Sequence, residues 1–278
     1  MWEVCLKSPH GLDTISFDDS NNTADWVSDT KTNINDWISS KFHDISCDNW
    51  IVYNDEVVGQ NVSSVVGHCK GVLMWNDREI KWLIHSCPNF PFAVNPICGL
   101  PESACIYGQS FICLSLQVSH IDDILRHLKI MNAHIYLMSP SASILYAGIE
   151  QPTGVFDVLK FTDDIWHVGK GRKWGQDLYE DGLSRLFGGG ELVETWMRPK
   201  APDTKNVDNI EEIKWPNGVS YTEEQDHSKY GFSLTGSKPW VFIGDINHQK
   251  SQSKRGGGGI IIRDHRLWQA FYSLVKTR

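Results

Sequence analysis

Short apolar runs alternate along the chain with polar breaks and with stretches whose apolar residues recur every three to four positions. The runs Trp50–Tyr53, Val72–Trp75, Trp82–Ile84 and Phe111–Leu116 are rich in β-branched and aromatic residues, which predicts strands. Ile121, Ile124, Leu125 and Leu128 then fall at i, i+3, i+4 and i+7. Ser119–Met131 therefore reads as an amphipathic helix, with Ser119 as its cap and Asp122 in its first turn. Further on, Gln176–Phe187 reads as a helix stopped by Gly188, Gly189 and Gly190. Trp240–Gly244 and Gly259–Ile262 read as strands, and His265–Lys276 as a closing helix. The segment Arg198–Trp215, rich in Pro, Asp, Asn and Lys, carries neither period and is expected to be a mobile surface loop. Strands and helices interleaved in this way predict an α/β protein.

At 278 residues and 41% hydrophobic residues, the chain is long enough to bury a large core, as one domain or as two fused halves. Twelve Trp are expected mainly in that core, with one or two beside a groove where a base could stack. The seven Cys all lie between Cys5 and Cys113 and form no C-x-x-C pair, so no zinc site is expected, and in a monomer at least one thiol is free. No long apolar run opens the chain, and none elsewhere suggests a membrane span.

The chemistry lies in a tripeptide pattern that occurs twice, as His68-Cys69-Lys70 and as His227-Ser228-Lys229. On an extended strand, side chains at i and i+2 share a face, so each copy presents an imidazole and an ammonium together. That couple suits a phosphoryl group: the imidazole attacks phosphorus or moves a proton, and the ammonium offsets charge on the phosphoryl oxygens. Each copy is followed by a Trp-bearing apolar run and then a polar cluster, His85 with Asn89 after the first and Asp245 with Asn247 after the second. Two copies point to one site made from two halves, in which one His forms a covalent phosphohistidine and the other protonates the leaving oxygen. Two ammonium groups would supply the positive charge that a metal ion provides elsewhere, so no cofactor is expected. Arg255 followed by Gly256–Gly259 reads either as a substrate-side loop or as a tight turn before a buried strand.

The stretches GHCKGVLMW, WLIHSCPNFP and ACIYGQSFIC, then GRKWGQDLYEDGL, DHSKYGFS, PWVFIGDIN, KRGGGG and LWQAFYSLV, resemble in sequence and in order the signature blocks of the deoxyribonuclease II family. The resemblance covers nearly the whole chain and is weakest over residues 1–60 and 198–215. It implies a phospholipase D-like α/β fold of two pseudo-symmetric halves, residues 1–138 and 139–278, each with a mixed sheet flanked by helices and packed around one groove. It also implies a metal-independent endonuclease favoured by acid, acting on DNA and leaving 3'-phosphate and 5'-hydroxyl ends. Carried over by position, the catalytic set is His68, Lys70, His85, His227, Lys229, Asp245 and Asn247, with Asn89, Arg255 and Gly256 toward the substrate. Members are usually lysosomal or secreted. Here the opening residues carry no leader, and Gly231 and Phe242 stand where animal members have cysteines, so a bacterial or intracellular setting and a leader already removed both stay open. Cys105 and Cys113 lie in a block that contributes to a bridge in relatives.

A net charge of -8 is unfavourable for a DNA-binding protein near neutrality. Protonating all eleven His moves the formal balance to +3, so acid is expected to favour binding. Lys170, Arg172 and Lys173, with Lys254 and Arg255, are candidate basic patches. Three alternatives share parts of this pattern: a phosphodiesterase acting on lipid or another ester, a silent DNA-binding relative, and a metal-dependent nuclease. Neither oligomeric state nor strand preference is legible.

Overall fold

The computed structural model describes residues 1–28, 33–43, 45, 48–91, 99–188, 190–196 and 203–275. Seven strands from the first part of the chain, Trp2–Lys7 (β1), Thr14–Asp18 (β2), Asn49–Tyr53 (β3), Gly71–Trp75 (β4), Glu79–His85 (β5), Gln109–Gln117 (β6) and Ile135–Met138 (β7), build an antiparallel sheet in the order β2-β1-β6-β5-β4-β3-β7. A second sheet uses Phe156–Lys160 (β8), Ile165–Lys170 (β9), Glu191–Glu194 (β10) and Val207–Asn209 (β11). A two-stranded ribbon of Glu212–Lys214 (β12) and Ser220–Thr222 (β13) follows, and Tyr230–Ser233 (β14), Val241–Gly244 (β15) and Gly257–Ile262 (β16) complete the second sheet. Its order, β8-β9-β16-β15-β14-β10-β11, is antiparallel except for the parallel pair β10 and β11. The helices are Ile34–Phe42 (α1), Ile121–Met131 (α2), Pro140–Gly148 (α3), Ser184–Phe187 (α4) and His265–Leu274 (α5).

Alternation along the strands sorts side chains onto two faces of each sheet. Tyr53, Leu73, Trp82, Ile84 and Ile112 from the first sheet share a central core with Tyr230, Ile243, Ile260 and Ile262 from the second, and α2 and α5 pack into the same core. The opposite face of the first sheet, with Val52, Val72, Leu83 and Phe111, is covered by Trp37 and Ile38 of α1. The opposite face of the second, with Val168, Val193, Phe242 and Ile261, is covered by Leu178, Tyr179 and Leu183. Each fully buried Leu, Ile or Phe contributes about 1.5–3 kcal/mol, so the sheets are held together mainly by this central layer. The indole of Trp82 is satisfied there by the Tyr53 hydroxyl at 2.9 Å.

The predicted elements are present with several differences: the helix expected over Gln176–Phe187 is a π-helical turn, Leu178–Leu183, followed by the short α4, and the first sheet is antiparallel throughout rather than mixed. Helix α2 is entered through a 3-10 turn, Val118–His120, so Ser119 lies inside that turn and caps nothing. The stretch expected to be a loop up to Trp215 carries β11 and part of the ribbon. Val207, Ile210, Ile213 and Trp215 are buried, so its apolar residues are core contacts; residues 198–202 lie outside the described set. The glycines from Gly257 onward form strand β16 and are close-packed: a Cβ on Gly258 would lie 2.2 Å from the Val168 carbonyl oxygen. Cys105 and Cys113, whose block left one bridge open, are free thiols, as are Cys5, Cys69 and Cys87; Cys47 and Cys98 lie outside the described residues. Helix α1 was not foreseen, although its Asn33–Asp36 capping box, with Asp36 N–H donating to Asn33 Oδ1 at 3.2 Å, is a sequence signal. Among the described residues, no helix is long and apolar enough to cross a membrane.

Candidate active site

Lys70 immediately precedes β4 and Lys229 immediately precedes β14, so both His-x-Lys copies sit where a central strand begins. Each is tied to the next strand in the same register. Gly71 faces Ile84 and Tyr230 faces Ile243; His85 N–H donates to Lys70 O at 3.2 Å, and Gly244 N–H to Lys229 O at 2.9 Å. By these registers Ser86, rather than His85, occupies the position equivalent to Asp245. Ser86 Oγ accepts from Ser110 N–H and Asp245 Oδ1 accepts from Gly258 N–H, both at 2.9 Å.

The two copies are also seated on each other's sheets. His68 N–H donates to Gly256 O at 2.8 Å, just ahead of β16, while His227 N–H donates to Gly108 O at 2.9 Å, just ahead of β6. Lys229 N–H donates to Ser110 Oγ at 3.0 Å, and His68 Nδ1–H donates to Asp245 O at 2.5 Å. A donating Nδ1 leaves the Nε2 lone pair of a neutral His68 free.

His68, Lys70, His85, Lys229 and Asp245 are buried and His227 is partly buried, and desolvation governs their charge. Burial, with Lys70, Lys229 and Arg255 nearby, pushes His68 down to about 3. Burial, then Lys229 and Lys70, pushes His227 to about 3, and burial and Lys70 do the same to His85. Both ammoniums act on His227, and Lys229 acts on His68, so the charges of the two copies are coupled. Lys229 is pushed down to about 7 by burial and by Lys70. For Lys70, burial is outweighed by the carboxylate of Asp55 with Glu56 behind it, which holds the ammonium charged. Asp55 itself is buried, yet His68, Lys70 and Arg255 keep it well below the usual carboxylate range. Asp245 is pushed up to about 7 by burial.

The other expected residues fall as follows. His85 is fully buried between Phe90 and Phe111; its Nδ1 accepts from Cys87 N–H at 3.2 Å, and its Nε2 has no partner among the described residues. Asn247 is buried, and its Oδ1 has no partner among the described residues. Asn89, at φ 58°, borders a separate recess with Glu56 and Tyr136. Arg255 turns inward, to Asp55 Oδ2 at 3.0 Å and to Val66 O, and Gly256 serves through its carbonyl.

A sequence model of the deoxyribonuclease II family matches residues 2–278. The chain belongs to the deoxyribonuclease II family. It is 30% identical over 312 residues to cell-death-related nuclease 7 of Caenorhabditis elegans, covering 99% of this chain and 83% of that protein. It is 33% identical over 249 residues to a putative deoxyribonuclease-2 of Burkholderia thailandensis (80% of this chain, 69% of that one). To deoxyribonuclease-2-beta of Mus musculus it is 30% identical over 249 residues (81% and 69%). This chain is therefore a hydrolase of the deoxyribonuclease II type.

Several residues that shape this deoxyribonuclease II site carried no motif. Asp55 follows β3 and bonds Lys70 Nζ and Arg255, contacts set by sheet pairing rather than by spacing. Tyr107 stacks on the His227 ring at 4.0 Å and 9°, and Trp196 meets it edge-on at 4.2 Å, so the aromatics here grip a site imidazole. In the Gly175–Tyr179 block, Asp177 caps the following helix and the Tyr179 hydroxyl donates to Ile246 O at 2.8 Å, bracing the segment from Asp245 to Asn247.

Proposed function

We propose that this deoxyribonuclease II hydrolyses DNA phosphodiesters without a metal, in two steps, leaving 3'-phosphate and 5'-hydroxyl ends. The observation that supports the reading is the exchange of seats, His68 on Gly256 and His227 on Gly108, which ties each His-x-Lys copy to the other half. Matching strand orders and matching registers at β4–β5 and β14–β15 support a phospholipase D-like pair of halves, residues 1–138 and 139–278. His68, neutral with a free Nε2, attacks phosphorus; the P–O5' bond breaks and His227 gives its proton to the departing oxygen. Water, activated by His227, then hydrolyses the phosphohistidine. Lys70 and Lys229 offset charge on the non-bridging oxygens, a role that fixed charges fill well in a dry site. His85 Nε2–H and Asn247 orient the phosphate, and the peptide unit of Asp245 holds the His68 tautomer. An anionic phosphate entering between the lysines raises the His227 pKa and allows it to act as the acid.

A metal-dependent reading has one point in its favour: Asp55, Glu56 and His68 offer ligand atoms within 4.8 Å of one another. Against it, the Asp55 oxygens are already engaged by Lys70 and Arg255. Nicking of supercoiled DNA in excess EDTA at mildly acid pH, with end-group analysis, separates the two: retained cleavage with 3'-phosphate ends is expected, and abolition by chelator would overturn the metal-free mechanism.

A further inference from the structure

The cations of the two basic segments divide by burial. Lys170 is fully buried, and its ammonium donates to the carbonyls of Gln252, Ser253 and Arg255 at 2.8, 3.1 and 2.7 Å. It is a structural cation that clamps the turn at Lys250–Lys254 beside the turn at Arg172–Trp174. Arg255 is spent on Asp55 and Val66. The clamp leaves Arg172, Lys173 and Lys254 exposed and adjacent, and among the described residues none of the three is in an ion pair. With Lys129 they line an open groove of about 960 Å³ whose walls include no Asp or Glu.

In a chain of net charge -8, one groove with four cations and no carboxylate is a pronounced local reversal of sign. Its remaining wall is apolar, with Val65, Ile130, Pro152 and Val155, suited to sugar and base edges. The groove borders the site through the segment that carries His68. Asn132 Nδ2–H donates to Val65 O at 3.2 Å and Gly67 N–H to Asn132 O at 2.8 Å, one residue before the histidine.

We propose that this groove carries the phosphodiester backbone of the DNA substrate beyond the scissile phosphate, with Arg172, Lys173 and Lys254 as its phosphate contacts. The assignment rests on the nuclease reading above and extends it to the path of the strand. Lys129 adds charge but is already held by Ile149 O and by the Tyr146 ring at 4.9 Å, so the three exposed cations are the ones to test.

The experiment compares the full chain with a triple variant, Arg172→Gln, Lys173→Gln and Lys254→Gln, and with a control that removes equal charge elsewhere, Lys160→Gln, Lys214→Gln and Lys238→Gln. Two substrates are used: long DNA, and thymidine 3'-(4-nitrophenyl phosphate), which is too short to reach the groove. For long DNA the triple variant is expected to raise KM and to flatten the slope of log affinity against log salt by about 2–3, one contact per lost cation. The control should leave that slope in place, and turnover of the short ester should follow the unaltered chain. An unchanged slope, an equal flattening in the control, or an equal loss on both substrates would each overturn the assignment. If the unaltered chain hydrolyses neither substrate, the nuclease reading fails, while DNA binding measured by anisotropy still decides the groove.

Discussion

The imidazole of His68 donates through Nδ1 to the carbonyl oxygen of Asp245, 2.5 Å away and on the other sheet. In the proposed mechanism the bond leaves Nε2 as the attacking nitrogen, and it sets His68 apart from His227, whose ring is gripped by Tyr107 and Trp196 and whose Nε2 is unpartnered among the described residues. Replacing either histidine with Ala should abolish nicking of plasmid DNA. On a 4-nitrophenyl ester, whose leaving group needs no proton, His227→Ala should recover much of the about 10²–10⁴-fold that a general acid supplies, and His68→Ala should recover none. The rescue is read in the first-turnover burst of 4-nitrophenol, since hydrolysis of the phosphohistidine still needs His227, and an equal burst in both variants would refute the assignment of roles.

Acid preference should come from Lys229 more than from the histidines. Burial holds His68, His85, His127, His167, His227 and His248 below their ordinary range, which corrects the expectation that mild acid charges all eleven. Lys229, at about 7, is charged below that pH and neutral above it. Activity should therefore fall as pH rises through about 7, and Lys229→Arg, which cannot lose its charge, should move that limb upward in a profile of kcat/KM.

Asp55→Ala strips the counter-charge from Lys70, which is 1% exposed, and should cost about 3–5 kcal/mol in denaturant unfolding as well as most activity. Because the folded pKa of Asp55 is depressed, its contribution is present above the unfolded carboxylate pKa and is lost only as pH falls through the much lower folded value. The Asp55–Lys70 pair should thus survive at the mildly acid pH proposed for activity. Asp55→Asn should spare more stability than Asp55→Ala while still lowering kcat.

Glu194 is fully buried with both carboxylate oxygens unpartnered among the described residues, and burial, then Asp226, raises its pKa. A raised folded pKa gives stability that is complete below the unfolded value, about 4.3, and is lost as pH climbs through the folded one. Glu194→Gln should make the melting temperature less sensitive to rising pH between about 5 and 8. An unchanged slope of Tm with pH would exclude a buried charge there.

Gly256 has no room for a methyl group: a Cβ would lie 1.8 Å from the Met131 carbonyl oxygen, a backbone atom that cannot swing away. Gly256→Ala should destabilise the fold by several times the about 0.5 kcal/mol of a surface change and displace the carbonyl that seats His68. Gly148→Ala, which meets nothing within 4 Å, is the control for both unfolding and nicking.

How much of this was legible follows from distance along the chain. The His-x-Lys copies and the strands after them are local patterns and are where the sequence places them. Asp55 is invisible because its partners, Lys70 and Arg255, are chosen by strand pairing and by the docking of two sheets. Val207–Trp215 misleads because polar residues between its buried ones hide a short-strand pattern. The glycine run shows permissive backbone but not whether a ligand or another backbone makes the close approach; at Gly256 and Gly258 it is backbone.

The crossed seating of the two histidine loops also times the appearance of activity. A nascent chain that has emerged only through β7 holds one complete imidazole–ammonium couple but lacks the carbonyl on which His68 rests, and a fragment carrying the second couple lacks Gly108. In the two-couple mechanism proposed above, cleavage would begin only when β16 has joined its sheet.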